Sequence, residues 1–127
     1  MKIIKISKND LDSENFYKNE CVDYYNDYQD VNVEIDENLG WVRFKKGLYV
    51  NGYIEAKAGS GIEAGSGIKA GKGIKAGWGI KAGEGIEAGL GIKAGWGIKA
   101  GWGIKAGDGI EAGWGIKAGW GIKAGVS

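Results

Sequence analysis

A mainly β fold, built from short strands stacked in coils, is what this 127-residue sequence predicts. Three observations carry it. From Ile62 the chain repeats six residues, Ile–Glu/Lys–Ala–Gly–x–Gly, with Ile at 62, 68, 74, 80, 86, 92, 98, 104, 110, 116 and 122. A period of six does not match the 3.6-residue helical period, and so much Gly would cost a helix about 1 kcal/mol per position. The chain also holds 26 Gly and no Pro. Disordered Gly-rich chains bring Pro with them, so Gly spaced this strictly points to order.

Within each unit a period of two applies. In Ile–Lys–Ala the first and third side chains share a face and the second points away. Ile and Ala therefore turn inward, and Lys or Glu outward. Gly–x–Gly makes a corner, for which Gly is expected to supply φ > 0 without a Cβ clash. One earlier unit, residues 54–61, carries two extra residues. A single unit buries nothing, so only a stack with parallel ladders and a continuous Ile/Ala core is stable.

The unit "IKAGWG" resembles the hexapeptide-repeat β-helices over residues 54–127. In their usual left-handed form three hexads make one triangular coil. Inward-facing branched and small residues and a corner Gly match that pattern, although Ile precedes Ala here and the family usually has the small residue first. The Ile–x–Ala–Gly cadence is also similar to polymer-forming solenoids such as the bactofilins, which are right-handed. The resemblance implies a solenoid and carries no activity. Three hexads per turn would place Trp78, Trp96 and Trp114 in one corner column, and Trp102 and Trp120 in a second. Lys72, Leu90, Asp108 and Val126 would fill the third. It also sets Glu63, Glu87 and Glu111 one rung from a Lys. Two hexads per turn would instead stack Lys69, Lys81, Lys93, Lys105 and Lys117 at about 4.8 Å with uncompensated repulsion. The expected architecture is thus a three-sided parallel β-helix of about four rungs, left-handed favoured, with a small α+β N-terminal cap.

The cap is residues 1–53 and the solenoid residues 54–127. "KIIKIS" at 2–7 reads as a strand. Ser13 caps an expected helix to about Asp27, with Tyr17, Cys21, Tyr24 and Tyr28 as its apolar stripe and Glu20, Asp23, Asp27 and Asp30 as its acidic one. "VNVEI" at 31–35 and "WVRFKK" at 41–46 read as a hairpin. Asn51-Gly52 is a turn signal leading into the first coil. Solenoids need caps because end rungs expose unpaired edges. The Tyr/Cys stripe is expected to pack over the first rung. No second cap is legible after Ile122, so the last rung is expected to pair with a partner or a second copy, through Trp120, Ile122 and Val126.

Charge divides the chain. Residues 9–37 hold ten acids against one Lys18, a local −9, while the formal net charge is +1. Such a segment suits a basic partner. Cys21 is the only cysteine, so no intrachain disulfide forms and a reducing, cytoplasmic setting fits. No run of apolar residues is long enough to span a membrane, and "MKIIKISKND" lacks a signal-peptide cleavage site. The chain has no His, which removes His-dependent catalysis, including that of the hexapeptide acyltransferases, and most zinc sites. "GIKAGKG" at 67–73 has the wrong spacing for a phosphate loop and lacks a following Ser or Thr. No enzyme activity, cofactor or metal is expected.

The sequence-level expectation is therefore a non-enzymatic protein-binding module. In its sharper form it is a small phage or mobile-element inhibitor that docks on a nucleic-acid-handling protein. Its contact residues would be Glu20, Asp23, Tyr24, Asp27, Tyr28 and Asp30, imitating phosphates, together with Trp78, Trp96, Trp102, Trp114 and Trp120 on the solenoid. The alternatives are a self-assembling solenoid and a carbohydrate or single-stranded nucleic-acid binder using Trp stacking. Direct nucleic-acid binding ranks below a protein partner.

Overall fold

A computed structural model describes residues 1–125. It is a parallel β-solenoid of about five turns whose strands recur roughly every 18 residues. The first sheet takes β1 (Lys2–Ile6), β3 (Val31–Ile35), β6 (Ile54–Ala56), β9 (Ile74–Ala76), β12 (Ile92–Ala94) and β15 (Ile110–Ala112). The second takes β4 (Gly40–Phe44), β7 (Ser60–Ala64), β10 (Ile80–Ala82), β13 (Gly97–Ala100) and β16 (Gly115–Ala118). The third takes β2 (Val22–Tyr24), β5 (Leu48–Val50), β8 (Ile68–Ala70), β11 (Ile86–Ala88), β14 (Gly103–Ala106) and β17 (Gly121–Ala124). Register follows the hexads: Ile80 sits between Ile62 and Ile98, and Ala82 between Ala64 and Ala100. Three hexads per turn is therefore the observed geometry.

The core is the column of Ile and Ala from all three sheets. Ile54 through Ile104 are about 1% exposed or less, and their Ala partners are buried with them. Each buried Ile contributes roughly 1.5–3 kcal/mol against an exposed one. Toward the N-terminus the small residue of each column is replaced by a larger one. Ile35 stands over Ala56, Phe44 over Ala64 and Val50 over Ala70. The ring of Tyr17 lies 5.5 Å from Phe44 at 54° and closes that end.

The sheets run through residues 53 and 54 without a break, so the front end is solenoid and not an α+β cap. Residues 31–50 form a full turn and residues 2–24 an incomplete one. The four turns expected over 54–127 are seen through Ala124, and the additional turn comes from this segment. In the incomplete turn residues 7–21 stand where a second-sheet strand would run. They hold a 3₁₀ turn at Lys8–Asp10 and a parallel bridge from Phe16 to Arg43.

The helix expected from Ser13 to Asp27 does not form. Its Asp side chains bond to nearby backbone instead: Asp12 accepts from Glu14 and Phe16 N–H, and Asp27 from Gln29 N–H. Such local bonds compete with helical ones. Asn15 adds a left-handed residue at φ 66°. Of the proposed apolar stripe only Tyr17 is buried, while Cys21 and Tyr28 are exposed. The hairpin is also absent. β3 and β4 share the alternating pattern of a hairpin but lie in different sheets, because Asn38 and Gly40, both at positive φ, turn a corner between them.

The corner glycines serve a different purpose from the one expected. Among the described residues only Gly40, Gly59 and Gly125 have positive φ among the glycines. The first Gly of each corner is needed because the previous turn lies against it. A Cβ on Gly95 would come 2.2 Å from the Gly77 carbonyl oxygen, and one on Gly101 2.1 Å from that of Gly83.

Buried polar groups are paired. Asn32 Oδ1 accepts from Tyr53 N–H at 2.8 Å, and Ser60 Oγ accepts from Leu39 N–H at 3.0 Å. Asn51 ties two turns together, accepting from Val31 N–H and donating to the Asp27 and Gln29 carbonyls. Among the described residues no helix is long and apolar enough to cross a membrane.

Candidate functional site

The corners hold the variable residue of each hexad, and the backbone fixes its position. Trp96 N–H donates to the Trp78 carbonyl at 2.8 Å, and Trp114 N–H to the Trp96 carbonyl at 2.7 Å. At the next corner Trp120 N–H donates to the Trp102 carbonyl at 2.7 Å. With identical backbone one coil apart, the rings fall into register. Trp78 and Trp96 stack at 4.5 Å and 11°, Trp96 and Trp114 at 5.0 Å and 1°, and Trp102 and Trp120 at 5.1 Å and 1°. These separations are close to the strand spacing of a sheet. Trp41, which the sequence reading placed in a hairpin, joins the first ladder edge-on to Trp78 at 6.2 Å and 74°.

The two ladders border the second sheet, whose outward column is Arg43, Glu63, Lys81, Lys99 and Lys117. Glu63 lies 3.6 Å from Arg43. Among the described residues no ion pair involves Lys81, Lys99 or Lys117. The same holds for the lysines of the other two faces, but there no more than two adjoin: Lys75 and Lys93 on the first, Lys105 and Lys123 on the third. On the first sheet Glu55 and Glu111 bracket Lys75 and Lys93. On the third, Glu87 separates Lys69 from Lys105. Like charges directly opposite on neighbouring strands destabilise a sheet. The second face therefore carries the longest uninterrupted run of lysines, three in register, with Glu63 opposite Lys81 at one end. A shallow groove of about 230 Å³ runs along it, lined by Trp41, Trp96, Trp114, Ile80, Lys81 and Lys99.

The acidic candidates are not brought together in this way. Glu20 lies 3.9 Å from Lys46, and Asp23 points outward from β2. Tyr24 is half-buried beneath Lys2, whose ammonium is 4.6 Å from its ring. Asp27 is occupied by Gln29 N–H, Asp30 is exposed, and Tyr28 projects into solvent at 96% exposure. These residues follow an irregular path and do not form one stripe. Elsewhere on the surface Tyr53 donates to the Glu34 carboxylate, which raises its phenol above the ordinary range.

At the last described turn, Ile122 is 49% exposed, and Trp114 and Trp120 are each 77% exposed with one ring face open. Val126 lies outside the described residues. Lys81, Lys99 and Lys117 were legible as a column once an 18-residue turn was assumed. Trp41 had no signal, because it precedes the repeat.

Fold and surface together define a β-solenoid that displays ranked aromatic and cationic side chains. Among the described residues no three His, Cys, Asp or Glu side chains converge as metal ligands would. Compared with known proteins, the chain matches no family model, and no curated protein or solved structure is significantly similar to it.

Proposed function

We propose that the protein is a non-enzymatic binding module for protein partners and that it docks through the outer face of its second sheet. The carrying observation is the uninterrupted column Lys81–Lys99–Lys117 held between two stacked Trp ladders. Rigid coils hold these side chains in fixed register, which lowers the ordering cost of binding, and Trp is over-represented among residues that dominate interfaces. The acidic first turn lacks a ranked face, so it is assigned a secondary contact. The exposed, unpaired Cys21 suits a reducing compartment, and we place the module in the cytoplasm. Capture of a partner by the tagged full chain tests the docking face. Lys81→Gln, Lys99→Gln and Lys117→Gln together should release the partner, while reversing Asp23, Asp27 and Asp30 should leave it bound. The opposite pattern transfers the site to the acidic turn.

A second reading has its own observation. The outer edges of β15, β16 and β17 are unpaired among the described residues, and their core column opens at Ile122. A second copy would cover that surface, giving self-assembly. Sedimentation of the 127-residue chain should then show association that Ile122→Asp abolishes. A monomer at every concentration removes this reading.

A further inference from the structure

Resting on the docking face just described, we propose that its occupant is an extended acidic segment of polypeptide, lying along the solenoid axis with its carboxylates on Lys81, Lys99 and Lys117. Charge favours an anionic occupant. On the first and third faces at most two lysines adjoin, Lys75 with Lys93 and Lys105 with Lys123, whereas the second face sets three in a row. The missing partner is thus anionic and repeats along the axis.

The Trp ladders distinguish one class of polyanion from another. Proteins that bind single strands of nucleic acid stack bases on aromatic faces, and sugars likewise pack on open ring faces. Inside the longer ladder the ring faces are taken by each other: both faces of Trp96 are covered, by Trp78 and by Trp114. Beside Lys81 and Lys99 Trp96 therefore offers only its ring edge and its indole N–H, a donor without acceptor capacity, while the open faces of Trp114 and Trp120 lie at the last described turn. Peptide carbonyls accept from such donors, and peptide carboxylates need no ring face. Spacing is compatible with an extended chain. The lysines recur once per coil, at about 4.8 Å, while an extended chain turns a side chain to the same face about every 6.8 Å. Three lysines thus meet two or so carboxylates, a mismatch that the flexible lysine stems absorb.

The test uses the full chain and three probes at low salt: a decaglutamate peptide, an oligothymidylate of the same length, and polygalacturonate. Two triple variants are compared, both checked for native circular dichroism. One is Lys81→Gln/Lys99→Gln/Lys117→Gln. The other is Lys75→Gln/Lys93→Gln/Lys105→Gln, which loses the same charge from the other faces. The peptide should bind the wild type, lose about tenfold or more in affinity with the first variant and stay within about twofold with the second. Equal losses with both variants would reduce the effect to net charge and overturn the inference. So would tighter binding of either other probe with the same lysine dependence, or no peptide binding at all. The docking reading fails separately, when its captured partner survives the first variant. A partner lost with that variant, in a chain that ignores the peptide, sinks the peptide inference alone.

Discussion

At the scale of single residues the hexad is a division of labour, and its glycines are the least replaceable part. Gly95 and Gly109 have the same sequence context in part but opposite surroundings. A Cβ on Gly95 meets a carbonyl oxygen at 2.2 Å, whereas one on Gly109 meets nothing within 4 Å. Gly95→Ala should therefore destabilise by roughly 3 kcal/mol and Gly109→Ala by less than about 0.5 kcal/mol, measured by urea unfolding. The ladder gives a second contrast. Trp96 stacks on two rings and Trp114 on one. Trp96→Ala should cost about 2 kcal/mol and Trp114→Ala about half that, beyond area effects. The inward Ile and Ala, the outward Lys and the exposed Trp were all legible from the period of two. The purpose of the glycines was not, because a clash with the previous turn is a contact 18 residues away, which no local rule for φ can register.

At the scale of elements, strand faces set charge and loops set shape. Lys99→Glu would turn the second face into an alternating column. It should raise stability by about 0.5 kcal/mol while abolishing capture of the partner. Loss of stability with retained capture would contradict both the column and its role. The segment from residue 7 to 21 is held by Asp10 and Asp12. Backbone N–H donation from Ser7 to Asp10, and from Phe16 to Asp12, lowers both carboxyls below the ordinary value of 3.8. Groups lowered in the fold contribute stability above their unfolded value and lose it as pH falls through the folded value. Protection of the Phe16 and Tyr17 amides from exchange should therefore fall below about pH 4 before that of β7. This is the region the sequence misled. Tyr17, Cys21, Tyr24 and Tyr28 have helical spacing, but Val22–Asp23–Tyr24 also alternates, and pairing with β5 won. Alternation in 31–35 and 41–46 likewise identified strands without saying that a corner joins them.

At the scale of the whole molecule, stability is a stack of near-equal turns, each leaning on its neighbours. The N-terminal end is plugged by Phe44 and Tyr17, and among the described residues the last turn is open at Ile122. Amide exchange should accordingly grade along the axis: β6–β11 exchange slowest, and Ile116 and Ile122 at least about a hundredfold faster. Uniform protection would mean that something covers β15–β17 in solution, as the self-assembly reading requires. The repeat made the solenoid and its three sides readable. The extra turn was hidden because residues 31–50 keep the register while abandoning the motif.

The corner hydrogen bonds have an electrical consequence. Each variable residue donates its N–H toward the turn before it: Trp78 to Ser60, Glu84 to Ser66, Lys72 to Gly52, and so on up all three corners. Strand amides alternate in direction and largely cancel, but these corner amides all align. The solenoid therefore carries an axial dipole of the same sense as that of an α-helix, positive at the first turn and negative at the last. The acid-rich segment 9–37 lies at the positive end, and Lys117 and Lys123 at the negative one. The split of charge along the chain is thus matched to the polarity of its own backbone.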